Sequence, residues 1–252
     1  MANSNSWEKI FKDYKILEHD FSKTPFYISA KDIKKSVQKF KNTAEKEVRI
    51  LCKMDTRESV PNIMKEKGLV LLPVKNGFYA IIKGEGYVDI PDIEGEAEKY
   101  NTKLNFDLDT AKIGDSEMQH LDFAYASSLI RTFMDDATLV LTIRGRKYTP
   151  EFSYKIGDHL IETEGVQTEV DAGYEGKDKI VLIEAKNSST KNTIIRQLYY
   201  PYRQWLEHTK KKVFLLFFEK RVDEYLIWQY EFKKKDSYDS IKLVKSKKYK
   251  IV

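Results

Sequence analysis

A single cysteine, Cys52, among 252 residues excludes an internal disulfide and any zinc site built on several cysteines. The four histidines (His19, His120, His159 and His208) form no ligand-spaced cluster. Proline (6) and glycine (11) are too scarce for a collagenous or low-complexity chain, and 41% apolar residues exclude a wholly disordered one. No apolar run approaches the roughly 20 residues of a membrane span. The opening MANSNSWEKIFKDYK lacks the apolar stretch of a secretory signal, so a cytoplasmic protein without membrane contact is expected. Gly-x-Ser-x-Gly, phosphate-loop and dinucleotide fingerprints are absent.

What is present begins with charge. The net formal charge is only +5, yet Lys233–Val252 holds eight lysines against two acids, a balance suited to a polyanionic partner. Gly84–Glu98 holds six acids and no base, which makes it the expected boundary between two units, 1–97 and 98–252.

In the first unit, Ser29 is positioned to cap a helix whose first turn carries Asp32 and whose apolar stripe is Ile33, Val37 and Phe40. A second helix is expected over Ala44–Met54, and a third from about Glu58 to Lys67, with Pro61 in its first turn and Gly68 as its stop. Asn76-Gly77 between two apolar runs predicts a hairpin with a type I′ turn. Three helices followed by a hairpin resemble a winged-helix module, which either reads DNA or supports the rest of the chain. In such a module the third helix would present Arg57, Asn62 and Lys65 to bases, and Lys75 at the hairpin tip would approach the backbone.

The second unit predicts a helix over Ser116–Met134 and strands at Thr138–Ile143, Phe152–Ile156, Gly165–Ala172 and Lys179–Ala185. A helix over about Thr190–Glu207, capped by Ser188, Ser189 or Thr190, comes next. Strands at Val213–Phe218 and Glu224–Phe232 follow, before a closing Lys-rich strand. Period-two alternation puts Gln167, Glu169 and Asp171 on one face of a strand, and Glu184 and Lys186 on one face of the next, with a turn near Glu175–Asp178. Clustered carboxylates at a sheet end need a cation or hydrogen bonds, and oxygen donors on two neighbouring strands suit Mg²⁺.

Asp171 followed by Glu184-Ala185-Lys186, within the order α-β-β-β-α-β, resembles the core of the PD-(D/E)XK nuclease superfamily over about Gly114–Phe232. Val170 stands where the motif name has proline. The resemblance implies an α+β or α/β fold with a restriction-endonuclease-like mixed sheet. It implies a Mg²⁺-dependent endonuclease on double-stranded DNA, of type II restriction kind, acting as a homodimer. Asp171, Glu184 and the Ala185 carbonyl would hold the metal, Lys186 would act on the attacking water, and Glu169 would support them. The other readings are a structure-specific or repair nuclease and a non-catalytic DNA-binding protein.

Arg196-Gln197 and the tyrosines after them resemble a glutamine-plus-tyrosine motif of some branches of that superfamily, which would aim Gln197 into the site despite Pro201. Arg144, Arg146 and Lys147, read as a loop just past a strand, are candidate phosphate clamps. Glu117 is a further acid that such a site could recruit, or simply a favourable charge in a helix's first turn.

Overall fold

A computed structural model describes residues 4–112, 114, 116–187 and 189–252; the candidate cap Ser188 lies outside them. The chain is a mixed α+β structure built around a seven-stranded mixed sheet.

The N-terminal part runs α1 (Ser4–Asp13), β1 (Phe26–Ser29), α2 (Ala30–Val37), α3 (Thr43–Lys46), α4 (Val48–Leu51), α5 (Asn62–Lys65), β2 (Leu69–Lys75) and β3 (Phe78–Lys83). Ser29 caps α2 in a full capping box, accepting from the Asp32 N–H while Asp32 accepts in return. The expected second and third helices are only single turns. Thr43–Lys46 and Val48–Leu51 are separated by Glu47 in extended conformation, and a 3-10 turn at Arg57–Ser59 precedes α5. Too short to hold themselves together, these turns depend on tertiary packing. The hairpin forms as expected, and β1 joins it in the order β1-β3-β2. Its turn is not type I′, because only Gly77 has positive φ (76°).

Next come β4 (Tyr87–Asp89), β5 (Glu98–Tyr100), α6 (Glu117–Ala126), α7 (Leu129–Met134), β6 (Val140–Tyr148), β7 (Phe152–Ile156), β8 (His159–Thr163), β9 (Gln167–Glu175) and β10 (Lys179–Lys186). The chain ends with β11 (Asn192–Ile194), α8 (Arg196–Leu206), β12 (Lys212–Arg221), β13 (Glu224–Phe232) and β14 (Ile241–Ile251). The large sheet has the order β5-β14-β13-β12-β10-β9-β6; β10 and β12 run parallel, as do β14 and β5, and the other pairs are antiparallel.

Three expectations are corrected here. The helix over Ser116–Met134 is two helices, broken where Ser128 takes φ 67°. The strand after it extends to Tyr148, so Arg144, Arg146 and Lys147 belong to β6 and not to a loop. The helix expected from Thr190 starts only at Arg196, because Asn192–Ile194 pair with Tyr87–Asp89 and commit their backbone groups to that ladder.

The sheet separates two apolar cores. Leu121, Leu129, Ile130 and Phe133 of α6 and α7 pack on one face against Ala172, Val181, Ile183 and Phe218. On the other face, Ile180, Leu182, Leu215, Phe217 and Trp228 share one continuous core with Leu198 of α8 and with Trp7, Ile33, Leu51 and Leu71 of the N-terminal part. The acidic segment after Gly84 does not hang free between the two parts. Trp228 Nε1 donates to Pro91 O (2.8 Å), the Tyr230 hydroxyl to Asp89 O (2.7 Å) and the Tyr87 hydroxyl to Met54 O (2.8 Å).

Candidate active site

β9 and β10 pair as a regular antiparallel ladder from Ile180↔Glu175 to Ile183↔Ala172. Beyond that point the backbones part and a side chain continues the bonding: the Asp171 carboxylate accepts the Ala185 N–H at 2.8 Å. On β10, Lys186 donates to its neighbours, to Glu184 Oε1 at 2.5 Å and to the Ala185 carbonyl at 2.9 Å. Glu184 is 8% exposed, Ala185 is fully buried and Asp171 is half-buried. Asp171, Glu184 and Lys186 therefore meet where two central strands diverge.

A β-bulge lies beside this point. Between Ile143↔Gly173 and Gly145↔Val170, two steps on β6 match three on β9, so one residue of β9 is extra. The alternation slips there. Ala172 belongs to the α6–α7 core, whereas Val170 belongs to the opposite one. Thr168 bonds Gln204 of α8 (2.7 Å), and Lys147, its partner in register, lies over the Trp205 ring. Gln167, Glu169 and Asp171 nonetheless line a single cleft. Glu169 faces Arg146 across the ladder and pairs with it at 3.3 Å.

The site forms the floor of a cleft of about 820 Å³ between the large sheet and the N-terminal part. Asp171, Glu184, Lys186, Glu169, Gln197 and Glu117 all line it, as does Lys75 from the hairpin. Gln197 accepts a hydrogen bond from Thr193 (2.7 Å), which orients its amide, and Pro201 sits four residues on within α8, where it offers the Gln197 carbonyl no N–H. Arg144 is held by Asp122 of α6; Arg144, Arg146 and Lys147 do not line the cleft. Arg57, Asn62 and Lys65 are outside it too. Arg57 binds Asp89 and the Tyr87 carbonyl, and its N–H donates to Asn192 Oδ1 (2.7 Å), while Lys65 donates to Glu58 O (3.1 Å).

Nothing in the residue spacing singles out Arg49, Lys53, Asp55 and Arg196, which line the cleft as well. The one signal is the place of Arg49 opposite the apolar stripe of a helix, which hints at a free face.

Burial dominates the electrostatics. It pushes the Glu184 carboxyl up to about 7, against the pull of Lys186 and with help from the charges of Asp171 and Asp55. Burial also raises Asp171, opposed by the Ala185 N–H and by Lys186. For Lys186, burial alone would weaken the ammonium, but the carboxylates of Glu184, Glu117 and Asp171 outweigh it and leave the pKa raised. Lys186 is thus a cationic donor at neutral pH and not a free base.

No group of three or more His, Cys, Asp or Glu side chains suited to a metal occurs among the described residues. The donor set nonetheless fits a hard cation that takes one or two carboxylates. Glu184 Oε1 and Ala185 O already converge on one positive charge, the Lys186 ammonium, and the Glu184 carboxylate lacks enough charge around it to ionise at its ordinary pH.

No curated protein and no solved structure matches the chain. Residues 4–81 match the family model described as Domain of unknown function (DUF6996), whose end falls within β3. Residues 82–250, about two thirds of the chain, match Domain of unknown function (DUF6997), and the protein belongs to that family.

Proposed function

We propose that the protein is a Mg²⁺-dependent DNA endonuclease of the PD-(D/E)XK kind, in the manner of a type II restriction enzyme. The observation that carries this reading is the joint placement of Asp171, Glu184, Ala185 and Lys186 at the parting of β9 and β10, on the floor of an open cleft. The strand order supports it. Helices α6 and α7, then β6, β9, β10, α8 and β12, repeat the α-β-β-β-α-β order of that superfamily, with the β7–β8 hairpin as an insertion. In the N-terminal part, β1 between α1 and α2 joins the hairpin sheet, which supports a winged-helix-like module.

In the reaction, a P–O bond forms to the oxygen of water, which gives up a proton to the surrounding solvent, the P–O bond to the leaving sugar oxygen breaks, and the leaving oxygen takes a proton from solvent. Asp171, Glu184 and the Ala185 carbonyl would hold Mg²⁺, which supplies Lewis-acid charge at the phosphoryl group. The Ala185 N–H fixes the Asp171 carboxylate, so the acid need not reorganise. Lys186 donates to oxygen and stabilises the negative charge that develops there. Gln197, oriented by Thr193, positions the substrate or its water.

A homodimer in the cytoplasm, with one centre for each strand of the duplex, belongs to the same proposal; among the described residues no helix is long and apolar enough to cross a membrane. A structure-selective nuclease is a second reading, favoured by the Arg57 guanidinium being engaged with Asp89 and the Tyr87 carbonyl instead of free to read bases. Incubation of unmethylated, branched and damaged DNA with Mg²⁺ separates these. Discrete fragments of intact duplex support the restriction reading, cleavage of branched or damaged DNA alone supports the second, and retention without cleavage refutes both.

A further inference from the structure

Resting on the nuclease reading, we infer that the N-terminal part grips the phosphates of the strand being cut with Arg49, Lys53 and Lys75, and that its α5 surface does not face the substrate. The cleft divides its charges unevenly. Asp171, Glu184, Glu169 and Glu117, against Lys186 and Arg196, lie along the side built by the large sheet, α6 and α8, while Arg49, Lys53 and Lys75, against Asp55, come from α4, the turn after it and the end of β2 in the N-terminal part.

An acidic floor alone repels a phosphodiester, so a nucleic acid enters only if cations meet its backbone elsewhere. Arg49 is exposed and has no ion pair among the described residues. Lys53 and Lys75 are 74% and 65% exposed, and their ion pairs with Asp55 (3.7 Å) and Glu164 (3.4 Å) are the weak surface kind that a phosphate displaces at little cost. Arg49 and Lys53 are four residues apart, whereas Lys75 reaches the cleft from a different element. One small phosphate cannot answer all three, but successive phosphates of a chain can. Tyr79, half-buried in the cleft lining, shares its hydroxyl with the half-buried Cys52 thiol, and the three cations themselves answer only the backbone phosphates. The grip is therefore independent of sequence.

The test uses the full chain and a set of Arg49→Ala, Lys53→Ala and Lys75→Ala variants, single and combined. Binding of a short duplex is measured without divalent metal across a salt series, and cleavage in Mg²⁺. The triple variant should weaken DNA affinity at least tenfold near 0.1 M salt and flatten the salt slope by roughly 0.9 for each phosphate no longer neutralised. Its Mg²⁺-induced thermal shift should equal that of the parent, because the metal donors are untouched. Replacing Lys12, Lys23 and Lys31, three exposed lysines outside the cleft, removes the same charge and should leave affinity near the parental value. Equal losses in both triple variants, or none in the cleft triple while the parent cleaves DNA, would overturn the grip and leave the nuclease reading standing. A parent that neither binds nor cleaves any DNA would remove the nuclease reading itself.

Discussion

The Asp171 carboxylate accepts the backbone N–H of Ala185 at 2.8 Å, taking over the ladder where β9 and β10 separate. One side chain thereby ties together the strand that carries the first acid and the strand that carries Glu184 and Lys186. A β-bulge in the pairing of β9 with β6 lies beside it.

Asp171→Asn keeps an acceptor for the Ala185 N–H but loses the charge. The variant should fold with a melting temperature within a few degrees of the parent and lose at least about 100-fold in cleavage rate together with its Mg²⁺-induced thermal shift. Differential scanning and a cleavage time course read both.

The Glu184 carboxyl, pushed up to about 7, makes stability pH-dependent. A folded-state pKa above the unfolded one means the native state holds its proton longer. The stabilisation is complete below the ordinary glutamate range near 4.5 and is lost as pH rises through 7. Asp171 acts in the same direction, and the Lys186 window lies above about pH 10, outside this range. Denaturation without divalent metal should find Glu184→Gln more stable than the parent by about 1–3 kcal/mol at about pH 8, and the gap closing at about pH 5. Mg²⁺ should stabilise the parent more at about pH 8 than at about pH 6, since it binds the ionised acid.

Asn192 is 3% exposed; it accepts the Arg57 N–H and donates to both oxygens of Glu58 at 3.1 Å. It fastens β11, which follows soon after Lys186, to the N-terminal part. Asn192→Ala should cost about 1–3 kcal/mol in chemical denaturation, because a buried N–H is left without its acceptor.

At Gly173 any Cβ would come within 2.6 Å of the Ile143 side chain. Gly173→Ala should destabilise by about 1–3 kcal/mol and, by displacing β9 two residues from Asp171, lower cleavage beyond what the lost stability explains. Gln197→Ala leaves the buried Thr193 hydroxyl without its acceptor and should cost about 1–2 kcal/mol, while lowering the rate more than DNA affinity.

Local signals in the sequence are readable where local chemistry decides. Ser29 and Asp32 cap α2 through bonds three residues apart, and the hairpin about Asn76-Gly77 needs only its own strands. The same holds for Asp171 and Glu184, since β9 and β10 are joined by a short turn. What escapes such reading depends on distant partners. Asn192–Ile194 carry helix-compatible residues but pair with Tyr87–Asp89 about a hundred residues earlier. Arg57 looks like a base reader until Asp89 and the Tyr87 carbonyl are brought to its guanidinium. The bulge beside Asp171 is set by the match of β9 to β6 and leaves no mark in the alternation of polar and apolar residues. The cleft wall of Arg49 and Lys53 exists only once single-turn helices pack against the sheet.

The most direct measurement is a time course of backbone cleavage of long unmethylated DNA in Mg²⁺ by the parent, by Glu184→Gln and by the parent in excess chelator. The account predicts cleavage by the parent alone, with the variant and the chelated enzyme at background. Cleavage by Glu184→Gln at the parental rate, or intact DNA with the folded parent in both Mg²⁺ and Mn²⁺, would contradict it.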